Sequence, residues 1–299
     1  MTNFAFKQVL GIAAIGLALV SPLTSAQADT AGPSRLAAAI QTYQTATNEG
    51  RAMAAQALRR ALAADSDAPA ATKAEASFLL GDFALRDGKK DLALKQANQG
   101  LKLLEGSGPT YAPAVRAFGA RIKTQALLAK EERLEAYKLI LEARFAYGAP
   151  KIGLDSAWDK VWDDLYLWQR IASSELVGVE AAVGAAFRHG YEAELTSLLQ
   201  QDGECGDQNT PLVLTNWENN KPNYPIVPLF ANQTGGVMMR ISVDADGRVT
   251  TAMPTAFSPS EDFAIMTERA SKEWIAKGDR LEEAACRVGR PIVVVFRLF

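Results

Sequence analysis

Histidine and cysteine are nearly missing from this chain: its 299 residues include one His, His189, and two Cys, Cys205 and Cys286. One imidazole cannot build a paired-histidine zinc site, and two thiols cannot build a four-thiolate zinc or iron–sulfur site. Neither sign of charge is in excess, with 32 Lys+Arg against 34 Asp+Glu and a formal net charge of -2. A dedicated nucleic-acid binder carries a basic surplus, so that class is disfavoured. Catalytic signatures are missing too. There is no Gly-x-Ser-x-Gly elbow, no His-Glu-x-x-His, no phosphate-binding loop and no Gly-x-Gly-x-x-Gly after a strand. Asp163-Asp164 and Glu282-Glu283 are adjacent carboxylates. Neighbouring residues on a helix point about 100° apart, so neither pair makes an acid–base dyad, and both read as solvated faces. His189, in Phe187-Arg188-His189-Gly190-Tyr191, sits near a helix break and reads as a solvent-facing or capping residue. The expectation is a chain with no catalytic residue, no metal and no cofactor, rather than an enzyme.

What is there is 48% hydrophobic residues, ordinary for a folded protein, over a length that fits two domains at roughly 100–200 residues each. Residues 1–28 read as a signal peptide. Lys7 gives the positive start, Val9 to Val20 the apolar run, Pro22 the break, and Ala26-Gln27-Ala28 the small residues of a cleavage site. The run is about a dozen residues, short of the ~20 that span a bilayer. An uncleaved N-terminus anchored in the inner membrane is the alternative. No later stretch is both long and apolar enough to span, so the mature chain is not expected to cross a membrane. In an exported protein Cys205 and Cys286 read as a disulfide, with two buried thiols as the alternative. Closing a loop of about 80 residues is worth on the order of 4 kcal/mol in the loop-entropy account.

Residues 29–202 have a helical texture: rich in Ala, Leu and charge, with apolar spacings of three and four. Gly, Pro and Asp punctuation predicts helices near 33–47, 50–64, 71–86, 90–104, 111–128, 131–146, 155–174 and 178–200. Paired helices in succession are the pattern of an α-solenoid, and a plain helical bundle is the alternative. The stretch with Leu80-Gly81, Gly88, Ala93 and Gly100-Leu101 resembles one tetratricopeptide repeat. Trp158, Trp162 and Tyr166, with Leu165, fall on one helix face. That stripe reads as core, or, if exposed, as a stacking platform for polysaccharide.

The texture changes in residues 203–299. Gly203 to Asp207 and Asn219 to Asn223 are turn-rich. Val237, Met239, Ile241 and Val243 alternate as one face of a strand, Asp244-Ala245-Asp246-Gly247 makes a hairpin turn, and Arg248 to Met253 returns. Ser258 reads as an N-cap, with Pro259 and Glu261 completing the signature of a helix that runs to about Ala276. Ile292 to Leu298 is the last strand. The fold class is α+β in two domains, a helical repeat followed by a small strand-strand-helix-strand domain.

Within residues 222–299 this order resembles the C-terminal domain of the TonB family. The residues that carry the likeness are Tyr224-Pro225, Ala231, Gly235-Gly236-Val237, Asp244 and Gly247 in Val243-Asp244-Ala245-Asp246-Gly247-Arg248-Val249, Ser258, Ser260, Trp274 and the closing apolar strand. The chain departs from that family after Trp274, where Ile275-Ala276-Lys277-Gly278 replaces an aromatic and Pro. It also has no Pro-rich spacer. The resemblance implies a periplasmic protein that binds an extended peptide of an envelope or outer-membrane partner by strand addition, in TonB-linked transport or as a scaffold. It places the peptide along Val293, Val295 and Arg297, where Arg297 would favour an acidic peptide residue. Self-association through the same edge is a further expectation. A cell-wall or polysaccharide-binding module and an envelope enzyme are the alternatives.

Overall fold

The computed structural model describes residues 34–105, 113–148, 160–176, 212–226, 228, 234–277 and 281–297. The signal segment, the helix expected near 178–200, Trp158, His189, Cys205 and Ala231 lie outside the described residues. Among the described residues seven helices come first: α1 (Arg35–Thr45), α2 (Arg51–Ala64), α3 (Ala70–Arg86), α4 (Lys90–Glu105), α5 (Pro113–Ala129), α6 (Arg133–Tyr147) and α7 (Lys160–Ser174). Their limits follow the punctuation. Ser34 caps α1 by accepting from the Ala37 amide at 3.2 Å. Gly88, at φ +70°, ends α3 and lets the Lys89 amide return to the Ala84 carbonyl.

Each helix packs on the next, and the odd-numbered helices also touch one another in order, α1 on α3, α3 on α5 and α5 on α7. Small residues make the close approaches possible. A Cβ on Gly100 or on Gly119 would lie 2.3 Å from the Phe78 ring, which fills the space where α3, α4 and α5 meet. A Cβ on Gly81 would lie 2.9 Å from Ile122 and 3.4 Å from the Ala93 carbonyl. The Leu80-Gly81 and Ala93 positions singled out in the sequence are therefore the contact points between helices.

The second half holds β1 (Val213–Leu214), β2 (Gly235–Val243), β3 (Val249–Ser258), α8 (Glu261–Ser271), β4 (Ala276–Lys277) and β5 (Arg290–Phe296). An antiparallel three-stranded sheet runs β3-β2-β5, and β1 pairs with β4 in a second small sheet. The turn between β2 and β3 is set by Asp244, whose Oδ1 accepts from the Asp246 and Arg248 amides at 2.9 and 2.8 Å. Gly247 follows at φ +80°, and its carbonyl accepts from the Ala276 amide at 2.8 Å.

Three expectations need correction. The second strand runs on to Ser258 rather than stopping at Met253, because Pro254 lies on the outer strand of the sheet and breaks no ladder bond there. Ser258 pairs with Gly236 in that strand, so the N-cap of α8 is Ser260, which accepts from the Asp262 amide at 3.2 Å. The helix ends at Ser271, and Ala276 belongs to β4.

The largest difference lies in how the sheet is covered. Alternation along β2 and β5 gives the sheet two apolar faces. Val237, Met239, Ile241, Ile292, Val294 and Phe296 pack under α8 with Phe263 and Trp274. Met238, Ala256, Val293 and Val295 pack under α7 with Leu167 and Ile171. The strand-strand-helix-strand order supplies one covering helix, α8; α7, from the helical half, is the second. Gly235-Gly236 marks the place where both helices press closest: a Cβ on Gly235 would lie 2.6 Å from Phe263, and one on Gly236 2.9 Å from Leu167.

Candidate functional site: the open edge of the last strand

Among the described residues β5 has one neighbour in its sheet, and its other side is an edge. Which backbone groups face that edge follows from the register. Val237 stands opposite Val294 and Gly236 opposite Val295. The Val294 carbonyl lies 3.1 Å from where a Gly236 Cβ would be, so Val294 turns its backbone inward to β2. Residues one step either side then turn theirs outward, because backbone direction alternates along an antiparallel strand. Pro291 agrees with this phase: it has no N–H, and only an outward position leaves the ladder intact. The N–H and C=O groups of Val293 and Val295 therefore point away from the sheet. Among the described residues no hydrogen bond reaches them.

Beside this edge runs a groove of about 260 Å³, lined by Leu212, Leu214 and Trp217 on one side and Ile292, Val293 and Val294 on the other. Asn216 ties the outer wall to the end of α8. Its Oδ1 accepts from the Ile275 amide at 2.9 Å and its Nδ2 donates to the Glu273 carbonyl at 2.6 Å. Trp217 packs against Trp274 with ring centres 5.8 Å apart and planes tilted by 55°, and Trp274 Nε1 donates to the Asn220 carbonyl at 2.9 Å. The groove wall is thus anchored on the core by two tryptophans.

The residues named from the resemblance turn up here as supports. Tyr224 meets Phe263 and Phe296 edge-on, each at 5.6 Å, beneath the end of β5, and burial raises its phenol above the ordinary range. Pro225 is buried beside it. Val237 is buried under α8, while Asp244 and Gly247 shape the turn. Arg297 is half-buried and lies one residue beyond β5; the charged residue inside the strand is Arg290, which is buried and donates from Nη1 to the Cys286 carbonyl at 3.1 Å. Arg297 is therefore not the strand's charge, as had been expected. Cys286 is buried in the turn before β5 and is disulfide-bonded.

Sequence reasoning missed the polar groups between the halves. Asp163, read as solvated, is fully buried and receives Arg240 in a fork: Nη2 to Oδ1 at 2.6 Å and Nε to Oδ2 at 3.3 Å. Arg240 Nη1 also donates to the Gly289 carbonyl at 3.3 Å, just before β5. Asp164 is part-buried and paired with Arg121 at 3.1 Å. Glu282 is exposed and Glu283 half-buried. Trp162 and Tyr166 are core residues, with the Arg144 guanidinium 4.8 and 4.5 Å from their ring centres. They offer no platform for a sugar ring. A run of Asp, Trp and Tyr with no visible partner carries no signal that its partner is an arginine in a strand far along the chain.

No helix of the described residues is long and apolar enough to cross a membrane, and none of their His, Cys, Asp and Glu residues form a group of three or more that could hold a metal ion. No family model, curated protein or solved structure matches the chain.

Proposed function

We propose that the chain is a protein-interaction or scaffold protein of the bacterial cell envelope, binding an extended peptide of an envelope or outer-membrane partner along β5. The observation that carries this reading is the outward backbone of Val293 and Val295 beside an apolar groove. An extended peptide satisfies those groups with its own backbone, and every second side chain falls toward Leu214 and Trp217.

The two edges of the sheet differ in a way that favours β5. Outer strands are commonly protected by proline, charge or irregular pairing. β3 has Pro254, and its register with β2 shifts between Met238 and Met239. β5 has its proline and its charge, Pro291 and Arg290, at its very start, and Ile292-Val293-Val294-Val295-Phe296 beyond them carries neither and keeps an unbroken register with β2. An unprotected apolar edge of that kind calls for a partner.

The TonB-like order of strand, strand, helix and strand supports the same mode of binding, and the N-terminal signal and the disulfide at Cys286 fit a periplasmic protein. The contacts among α1, α3, α5 and α7 support reading the helical half as a short solenoid, a second surface for partners.

The test is a random peptide library displayed on phage and panned against the whole protein, with enriched peptides then made synthetically. Bound peptides are expected to slow hydrogen exchange at the Val293 and Val295 amides. Val295→Pro removes only an outward donor, so it keeps the fold and weakens binding more than tenfold, whereas Val294→Pro breaks the ladder and unfolds the sheet. No enriched peptide, peptides that leave both amides unchanged, or a Val295→Pro protein that binds as well as wild type would each refute the reading.

A further inference from the structure

Two adjacent carboxylates on α7 reach in opposite directions. Asp163 goes to the sheet, where Arg240 holds it and also holds the Gly289 carbonyl at the start of β5. The Gly289 amide donates in turn to Ser242 Oγ on β2, at 3.3 Å. Asp164 goes to the helices, where Arg121 on α5 stands between it and Asp82 on α3, at 3.1 and 3.6 Å. Asp82 also pairs with Arg86 at 2.9 Å. Gln125 completes the helical side: with its amide turned so that the oxygen faces them, it accepts from Trp168 Nε1 at 3.2 Å and Arg121 Nη1 at 3.0 Å. An unbroken series of ionic and polar contacts thus leads from α3, through α5 and α7, to the residue that precedes the edge strand.

We propose that α7 is a double-sided clasp through which the helical layer sets how firmly the edge strand is held. The physical reason is the cost of separating the charges. Arg121 is the only guanidinium paired with Asp164 among the described ion pairs, and it keeps Asp82 and Asp164 from facing each other as like charges. Removing it drives α7 away from the helices, and α7 carries Asp163 with it. Asp163 holds Arg240, and Arg240 holds Gly289. Displacement on the helical side therefore reaches β5 without any residue of the sheet being altered. If β5 is the peptide site proposed above, the clasp regulates it; the coupling stands without that reading and is tested in the free protein.

The experiment is native-state hydrogen exchange on the whole chain, comparing Arg121→Met with Leu58→Ala. Leu58 is buried in α2, away from the ionic series. The variants are compared at urea concentrations that give equal global stability. Arg121→Met is expected to speed exchange of the inward amides Ile292 and Val294 at least tenfold relative to Leu58→Ala, and Arg121→Lys to restore most of the protection. Equal exchange at β5 in Arg121→Met and Leu58→Ala would overturn the proposal. So would a loss of protection confined to α3, α5 and α7.

Discussion

Replacing Asp163 with Leu strands the Arg240 guanidinium in a place with almost no water: the Asp163 side chain has 0% and the Arg240 side chain 4% of its surface exposed. An uncompensated buried charge of this kind costs about 3–5 kcal/mol. For a folded unit of this size each kcal/mol moves the melting temperature by about 2–4 °C, so the single change is expected to lower it by roughly 6–20 °C. Arg240→Met is expected to cost a similar amount, because it leaves Asp163 unpaired and frees the Gly289 carbonyl. The double variant Asp163→Leu/Arg240→Met tells the story apart from simple loss of contacts. With both charges gone and apolar groups of similar size in place, neither ion has to be desolvated, and the protein is expected to melt near wild type. The two single costs would then fail to add by at least about 2 kcal/mol. Thermal and urea unfolding of the four proteins at pH 7 measure this cycle. Additive costs, or single variants within about 1 kcal/mol of wild type, would show that the pair does not hold the halves together.

Asp164 gives a pH dependence of opposite sign to the usual acid. Burial is the main cause that raises its carboxyl above the ordinary 3.8, with Arg121 opposing and Asp82 and Asp163 adding to the rise. A folded-state value above the unfolded one means that the folded chain holds the proton more tightly, so this group weakens the fold as pH rises through that range. Asp164→Asn is therefore expected to equal or exceed wild type in stability at pH 7, with Arg121 still paired to Asp82, and to lose that advantage as pH falls toward 4. Urea midpoints measured across that range check it, and a penalty that is largest at pH 7 would contradict it. Gly247→Ala would place a Cβ 2.1 Å from the Ala276 carbonyl oxygen at a positive φ. The strained backbone alone costs about 1–2 kcal/mol, and a lower urea midpoint together with faster exchange of the Ala276 amide is the expected result. An unchanged midpoint would refute it.

Much of this fold could be read before any coordinates, for local reasons. Gly50 and Gly88 sit at helix limits because backbone chemistry acts within a few residues, and the Asp244–Gly247 turn is likewise its own cause. Legibility failed wherever the deciding partner was remote. Ser258 and Ser260 are equally good caps by sequence; pairing with Gly236 takes the first of them into the sheet. Pro254 looks like a strand end until the sheet order puts it on the outside. Asp163 looks solvated because it stands beside a second carboxylate, and only the packing of α7 on β2 brings Arg240 to it. For the candidate site, the strand was visible as an apolar run. The phase of its outward groups required the register against Gly236 and Val237, and the groove required Leu212, Leu214 and Trp217 to come alongside.

The unequal protection of the sheet limits what it can build. β3 has Pro254 in mid-strand on its outer side and an irregular register, while β5 beyond Pro291 is a regular apolar run. A sheet that is receptive on both sides can pass strands along indefinitely, as a growing fibre does. Receptive on one side only, this protein would serve as a terminus: two copies meeting through β5 would use up both open edges and stop at a pair, and one copy with a peptide in place would leave its own far edge shut. An apolar strand that would be hazardous in a symmetric sheet is made safe here by geometry on the opposite side.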